Sequence, residues 1–280
     1  MGFGILAHAV GKHPLRELTA KLGGRGVDFV QLALAKAIGD MDTGTGKLSP
    51  GMANAIAEQF ERAGVRIGVL GCYIDAIHPD AEIRRQQIRR FKEHLRYARD
   101  FGTSIVATET GSLTTYADQD PVHYEELAFT VLRQTVEELA EEAERWGVTV
   151  GLEPVSTHTL SSPERMARML EEVPSSTLGV VLDPVNLLNR DNYTEQDSVI
   201  EQAFQLTGDR IVLAHLKNFA LPPGQGFQSL AIHGEGLFHT DAFLRKLKLH
   251  KPFVDISMEE TSDSTLEAAV SYVRDRWKAV

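Results

Sequence analysis

Four segments in the second half of the sequence each end in a side chain that can bind a metal ion. They are VTVGLEP, LGVVLDP, RIVLAHLKN and PFVDISMEE, and they supply Glu153, Asp183, His215 and either Glu259 or Glu260. Three carboxylates and an imidazole form a mainly oxygen ligand set, which suits Mn²⁺, Mg²⁺ or a related ion and differs from sulfur-rich structural zinc sites. A single such residue would be read as a carboxylate that caps the next helix. Four in succession predict one metal site.

The choice between Glu259 and Glu260 depends on the alternation of side chains along the last segment. If Ile256 and Met258 face outward, a period of two points Ser257 and Glu259 inward. This favours Glu259 as the fourth ligand and leaves Glu260 outside the ligand set.

The elements that must position these residues are eight short apolar segments with helical patterns between them. Residues 3–8, 28–34, 65–73 and 103–109 precede the four segments above. They are apolar on both faces, as parallel strands covered by helices are, and recur at close to the roughly 30 residues of a βα unit. The sequence therefore predicts an α/β fold, a (β/α)₈ TIM barrel formed as a single domain over residues 1–280. A doubly wound open sheet is the alternative, because the first two segments are weak.

Local signals mark where helices begin and where a long loop runs. Ser49, Asp120 and Ser162 are each followed by proline, a pattern typical of helix starts. Residues 218–239 carry the least regular pattern. Long loops in compact domains are usually functional or disordered, and after a seventh barrel strand this one would lie over the active face.

Composition limits the partners of the protein. The chain has 280 residues with 42% apolar content, enough for one sizeable core, and a net charge of −10, which disfavours nucleic acid. Its lone cysteine, Cys72, excludes an intrachain disulfide and makes a cytoplasmic location the default expectation. We see no signal-peptide pattern and no apolar run of about 18 residues, so no membrane partner is expected.

Polar residues at other strand ends are candidates for contacts with a substrate. A barrel collects the C-terminal ends of its strands at one mouth, so residues distant in sequence share a pocket. A lone histidine is more often structural, and the glycines of HGEG at 233–236 allow close backbone approach to a ligand but also suit any tight turn. The candidates are His8, Gln31, Lys36, His78, Glu109, His158, Lys217, Asn218 and Glu235.

The ordered motifs LEP, LDPVN, HLKN and the final glutamate, with HGEG between the last two, resemble the xylose isomerase-like TIM barrel superfamily. Within it, the sugar phosphate isomerase/epimerase group is the most similar, and the resemblance spans nearly the whole chain. It implies that Glu153, Asp183, His215 and Glu259 bind one divalent ion, Mn²⁺ first and Mg²⁺, Co²⁺ or Zn²⁺ as alternatives. As in the related ketose 3-epimerases, it also implies that Glu153 and Glu259 are catalytic and move protons on either face of the substrate.

Two positions depart from the family pattern. Members often have histidine three residues after the aspartate, where this chain has Asn186, and HLKD where this chain has Asn218. Asn186 can donate hydrogen bonds to substrate hydroxyls but cannot act as an acid or base. It therefore joins the substrate-contact candidates, and the assignment to an epimerase stays open.

The leading expectation is a metal-dependent isomerase or epimerase of a small sugar, polyol or sugar derivative that works through an enediolate. The alternatives are a keto-inositol-type dehydratase that uses the same enolate and a non-catalytic sugar-binding barrel. Hydrolysis of phosphodiesters is a weaker alternative, against which Asn186 and the acidic charge argue. Motifs for nucleotide binding and for a serine nucleophile are absent, and no dense phosphate cradle is visible. An unphosphorylated substrate is therefore favoured, and a homo-oligomer is compatible with such a barrel.

Overall fold

The apolar segments of the sequence form parallel strands that close into a barrel. The computed structural model describes residues 1–280. Eight strands form the ring in the order β1-β10-β7-β6-β5-β4-β3-β2, whereas β8 and β9 pair only with each other. This ring confirms the predicted (β/α)₈ barrel and excludes the alternative, a doubly wound open sheet. The strands are β1 (Phe3–Leu6), β2 (Phe29–Leu32), β3 (Arg66–Gly71), β4 (Ile105–Glu109), β5 (Thr149–Glu153), β6 (Leu178–Leu182), β7 (Ile211–Leu216), β8 (Asn218–Ala220), β9 (Gln228–Leu230) and β10 (Ile256–Met258).

Helices connect the strands and surround the barrel. None of them is long and apolar enough to cross a membrane. They are α1 (Leu15–Leu22), α2 (Leu34–Ala37), α3 (Pro50–Arg62), α4 (Ala81–Tyr97), α5 (Tyr124–Trp146), α6 (Pro163–Glu172), α7 (Gln196–Thr207), α8 (Thr240–His250) and α9 (Leu266–Ala279).

The structure confirms two of the three predicted helix starts. The Ser49 and Ser162 side chains accept hydrogen bonds from the backbone N–H groups of Met52 and Arg165, in the first turns of α3 and α6. The start predicted at Asp120 is wrong, since α5 begins at Tyr124. The Asp120 carboxylate instead accepts from the N–H groups of Val122 and His123 at 3.2 and 2.9 Å, and such local bonds hold a turn in place of a helix.

The core has an outer and an inner part. A cluster of 71 buried residues joins the strands to the surrounding helices. A separate cluster of Phe29, Val69, Ala107, Val181 and Leu213 fills the barrel interior. Gly4 and Gly68 leave room for the Phe29 ring, because a Cβ at either position would come within 2.6 or 2.5 Å of it.

The inner cluster forms a floor below the C-terminal mouth. Strand side chains alternate between faces, so the residue two positions further along each strand points into the barrel above this floor. Apart from the glycine on β3, these next positions are polar, and most of them are candidate site residues. They are Gln31, Gly71, Glu109, Asp183 and His215.

Candidate metal centre

Four side chains from the second half of the chain meet at the C-terminal mouth. Glu153 ends β5, His215 lies in β7, and Asp183 and Glu259 directly follow β6 and β10. One ligand atom from each residue lies within 4.8 Å of all the others. Two ligands of one ion, each bound at about 2.0–2.6 Å, are at most about 5.2 Å apart. The four residues are therefore spaced closely enough to bind one ion.

The structure brings Glu259, and not Glu260, to this cluster. Ser257 pairs with His215 in the register of β10 and β7, so Glu259 follows on the same face. Its Oε1 atom lies 3.0 Å from His215 Nδ1. Glu260 is exposed and has a φ of 53°, in the left-handed region. The alternation that favoured Glu259 in the sequence is the feature that places it here.

Two cationic groups contact the carboxylates. His215 Nδ1 also lies 3.1 Å from Glu153 Oε1. Lys217 Nζ lies 2.8 Å from Glu259 Oε2 and 3.0 Å from Asp183 Oδ2. Burial by itself lowers the pKa of His215, but the charges of Glu153 and Glu259 and hydrogen bonds with them raise it well above its ordinary value. Burial likewise opposes the charge on Lys217, yet the charges of Asp183, Glu259 and Glu153 raise its pKa.

The two glutamates differ in their surroundings. Burial is the main reason why the pKa of Glu153 is raised, against the opposing charge of His215. Burial acts in the same direction on Glu259, but His215 and Lys217 together lower its pKa. Glu259 thus has two cationic neighbours, whereas Glu153 has His215 and the amide of Asn186, which donates from Nδ2 to Glu153 Oε1 at 2.8 Å.

The ligand atoms of the four clustered residues fit a divalent ion. Asp183 is fully buried, and its Oδ1 accepts from Val185 N at 2.9 Å. Its Oδ2 accepts no hydrogen bond, although it forms an ion pair with the Lys217 ammonium at 3.0 Å. The ion pair offsets part of the charge of this oxygen, but the missing hydrogen bond is unfavourable in a buried position, and a metal ion would compensate for it. Three carboxylates and one imidazole suit Mn²⁺, Mg²⁺ and similar ions.

A cavity opens beside Glu259. Its volume is about 330 Å³, and it is also lined by Leu6, His8, Ala9, Glu260 and Thr261. This volume is at the lower end of the about 300–1,000 Å³ typical of small-molecule sites. A larger cavity, of about 500 Å³, lies at the opposite end of the barrel, where its lining includes Asp28 and Arg66. The space next to the cluster is therefore suited to a small molecule.

Several other predicted site residues lie at the same mouth. Lys217 and Asn186 contact the cluster directly, and His8 lines the cavity from the turn after β1. The sequence placed His8 at the strand end, but β1 ends at Leu6. Glu109 pairs in register with Glu153, and its Oε2 lies 3.8 Å from His158 Nδ1. Their roles in substrate binding stay predictions.

Two candidates are engaged elsewhere. His78 Nδ1 accepts from Asp80 N at 3.1 Å, in the turn before α4. The Glu235 side chain is exposed, and its backbone carbonyl accepts a hydrogen bond from Asn218 Nδ2 at 2.6 Å. The structure thus gives neither side chain a contact with the four clustered residues.

Asn218 anchors the long segment after β7. Its side chain is buried, and Oδ1 accepts from the N–H groups of Phe219 and Phe238, both at 2.9 Å. The segment contains the β8–β9 hairpin, where an irregular loop was expected. Gly236 has a φ of 127°, and a Cβ there would lie 2.2 Å from Asn218 Oδ1. The asparagine of HLKN and the last glycine of HGEG therefore belong to one contact.

We expect Asn218→Asp to destabilise the protein and loosen residues 221–237. An aspartate can accept from Phe219 and Phe238 but cannot donate to the carbonyl of Glu235, and an unsatisfied buried group costs about 1–3 kcal/mol. Urea unfolding should detect the loss, and limited proteolysis should reveal new cleavage within the segment. Asn54→Asp, on the exposed surface of α3, is the matched control. Equal unfolding and cleavage in both variants would refute the anchoring role.

One site residue had only a weak signal in the sequence. Gln31 was a candidate for substrate contact, but its Oε1 lies 3.0 Å from His215 Nε2. The alternation within β2 points Gln31 inward above Phe29, which identifies the face. The sequence could not identify His215 as its partner, because the two residues are 184 positions apart.

The sequence matches the family described as xylose isomerase-like TIM barrel over residues 17–278. The chain therefore belongs to this family, as its motifs predicted. None of the curated proteins matches the chain significantly.

Solved structures with the same fold include several sugar epimerases. A D-tagatose 3-epimerase-like protein has 19% identity and a TM-score of 0.78, with 100% of this chain and 98% of that chain covered. The 3-keto-D-glucoside 4-epimerase YcjR from E. coli has 14% identity and a TM-score of 0.72, with coverage of 98% and 99%. The IolI protein with a bound zinc atom has 20% identity and a TM-score of 0.70, with coverage of 99% and 96%. At these identities the similarity establishes the fold.

Proposed function

We propose that this protein is a divalent-metal-dependent isomerase or epimerase of a small, unphosphorylated sugar or sugar derivative. The observation that carries the proposal is the convergence of Glu153, Asp183, His215 and Glu259 within 4.8 Å at the barrel mouth. Membership of the family and the sugar epimerases among the structural neighbours support the substrate class. The zinc atom in the IolI structure supports a metal in this fold.

The four clustered residues would hold the ion. When bound, a divalent ion would polarise the substrate carbonyl and its neighbouring hydroxyl and stabilise the negative charge that develops there. Mn²⁺ is our first choice, because carboxylates and one imidazole suit its intermediate hardness.

Glu153 and Glu259 are the proposed proton carriers. They approach His215 Nδ1 at 3.1 and 3.0 Å from β5 and β10, two strands that are separated by β6 and β7 in the barrel. One carboxylate removes the proton from the carbon next to the carbonyl, which leaves an enediolate, and the other returns a proton. Two carboxylates on different sides of the site allow proton return to the opposite face, as epimerisation requires.

Asn186 and Lys217 hold these carboxylates in place. Asn186 donates to Glu153 Oε1 and so stabilises its anionic form, where family members often have a histidine. Lys217 contacts Asp183 and Glu259 and offsets part of the negative charge of the cluster. On the β5 side of the site, Glu153 itself is therefore the proposed proton carrier, because the amide of Asn186 can neither take up nor release a proton.

The cavity favours a substrate without a phosphate group. Its lining contains the carboxylates of Glu259 and Glu260 but no lysine or arginine. A phosphate next to these carboxylates would be repelled, and the two nearest ammonium groups are already engaged, Lys217 with Glu259 and Lys36 with the Tyr73 ring. Hydroxyls, in contrast, can donate to carboxylates, so a neutral polyhydroxylated molecule is the better match.

The proposal is tested by incubating Mn²⁺-treated protein with free aldoses, ketoses and a keto-inositol, each beside its phosphate ester. We expect NMR to detect interconversion of at least one free sugar, with at least tenfold lower kcat/KM for its phosphate ester. Activity should disappear with EDTA and return with Mn²⁺. Preference for the ester would contradict the assigned substrate charge.

The same experiment distinguishes the alternatives. Loss of water with a new enone absorbance would identify a dehydratase. Binding of sugar without conversion would favour a non-catalytic barrel, and cleavage of abasic DNA in a parallel assay would favour phosphodiester hydrolysis.

A further inference from the structure

Gln31 contacts the nitrogen of His215 that faces away from the carboxylates. The side chain lies in β2, is 1% exposed and points into the barrel above Phe29. Its Oε1 is 3.0 Å from His215 Nε2, whereas His215 Nδ1 faces Glu153 and Glu259. The two ring nitrogens thus have different surroundings.

This arrangement has a consequence for metal binding. An imidazole that binds a metal ion is neutral: it carries its proton on one nitrogen only, and the other nitrogen supplies the lone pair to the ion. An amide oxygen accepts hydrogen bonds and cannot donate them. A bond from Nε2–H to Gln31 Oε1 therefore leaves the lone pair on Nδ1, the atom that faces the carboxylates of the cluster.

Gln31 is itself held by Tyr73. The amide Nε2 donates to the Tyr73 hydroxyl at 2.9 Å. The Tyr73 ring is in turn covered by the ammonium of Lys36, 4.1 Å from the ring centre, a favourable cation–π distance. Both ends of the amide are thus engaged within the protein, and a side chain with 1% exposure has no free surface for a substrate.

We propose that Gln31 is a positioning residue that fixes the tautomer and the ring orientation of His215 for metal binding, with Tyr73 as its support. The inference rests on the proposed metal centre. It replaces the substrate-contact role predicted for Gln31 from the sequence. Partners of this kind typically change metal affinity by about 10–100-fold when they are removed.

The test is the dissociation constant for Mn²⁺, measured by calorimetry for the wild type and four variants. Gln31→Leu removes the acceptor and should weaken binding by about 10–100-fold. Gln31→Glu keeps an acceptor that cannot turn into a donor, so it should bind as tightly as the wild type or more tightly. Tyr73→Phe should give a smaller loss. Gln196→Leu is the matched control, because Gln196 is equally buried but bonds to Tyr193, Leu237 and His239.

A spectroscopic measurement separates positioning from a general loss of structure. Ring ¹⁵N spectra of the Zn²⁺-bound protein, assigned with His215→Gln, should give the Nε2–H pattern for the wild type and Gln31→Glu. Gln31→Leu should give a mixed or altered pattern.

The outcomes distinguish this inference from the proposed function. A wild type that binds no divalent ion overturns both. A wild type that binds Mn²⁺, beside a Gln31→Leu variant with the same affinity and ring pattern, overturns the role of Gln31 alone. Equal weakening in Gln31→Leu and Gln196→Leu would also overturn it.

Discussion

Glu153→Gln and Glu259→Gln should each lower kcat by about 10²–10⁴ at saturating metal, the contribution of one general base or acid. Glutamine keeps the size of the side chain and one ligand oxygen but cannot take up a proton. The measurement is steady-state turnover of the sugar identified in the substrate panel, at a metal concentration shown by calorimetry to saturate each variant. Saturation separates the loss of proton transfer from the loss of the ion.

Two matched variants serve as controls for this prediction. Glu171→Gln, on the exposed surface of α6 and away from the cavity, should leave kcat nearly unchanged. Glu109→Gln, at a proposed substrate contact, should act mainly on KM. If both Glu153→Gln and Glu259→Gln turn over normally, the mechanism with two glutamates is wrong, whatever the affinity for metal.

Asp183→Asn should abolish tight binding of a divalent ion. Asp183 is the fully buried carboxylate whose Oδ2 lacks a hydrogen-bond partner, and asparagine offers only a neutral oxygen. In the wild type, an ion at 100 times its Kd should stabilise the fold by about 2.7 kcal/mol, because the unfolded chain has no preformed site. The melting temperature should therefore rise with Mn²⁺ in the wild type and stay constant in Asp183→Asn.

The metal-induced shift is the relevant quantity in this comparison. Asp183 also accepts a backbone hydrogen bond from Val185 and pairs with Lys217, so the variant is expected to melt earlier even without metal. Asp191→Asn, at an exposed carboxylate, should keep the full shift. Equal melting curves of the wild type with EDTA and with excess Mn²⁺ would contradict the metal centre.

Much of the barrel and of the cluster of four candidate ligands could be predicted because both follow from local patterns. Apolar segments at the spacing of βα units specify parallel strands, and parallel strands in a barrel present their C-terminal ends at one mouth. A period of two then selects Glu259 over Glu260. These signals depend only on a few neighbouring residues, so they can be recognised from a single sequence.

Features that depend on distant contacts could not be predicted. The bond between Gln31 and His215 joins positions 184 residues apart, and the contact of Asn218 with Gly236 depends on the path of the whole intervening segment. The three-residue strands of the β8–β9 hairpin are likewise too short to be recognised in the sequence.

At Asp120 a local signal was misleading. A side-chain hydrogen bond of Asp120 competed with the helix, so the proline that follows it gave the wrong helix start.

The departures from the family pattern acquire a physical meaning in the structure. Asn186 and Asn218 both use an amide N–H as a donor, to Glu153 Oε1 and to the carbonyl of Glu235. The aspartate that members often have at position 218 could not donate to that carbonyl, and at position 186 an amide takes the place of an imidazole. The two substitutions therefore alter how the Glu153 carboxylate, a proposed proton carrier, and the segment after β7 are held, while the four proposed ligands stay in place.

The central claim, metal-assisted removal of a proton next to a carbonyl by Glu153 and Glu259, is tested most directly by deuterium exchange. The free sugars of the panel are incubated in D₂O with the Mn²⁺-treated protein, and NMR follows the hydrogen on the carbon next to the carbonyl. We predict that deuterium replaces this hydrogen in at least one sugar, that EDTA stops the exchange, and that the double variant Glu153→Gln/Glu259→Gln does not catalyse it. Exchange that persists in the double variant or in EDTA, or a metal-bound wild type that exchanges none of the sugars, would contradict the account.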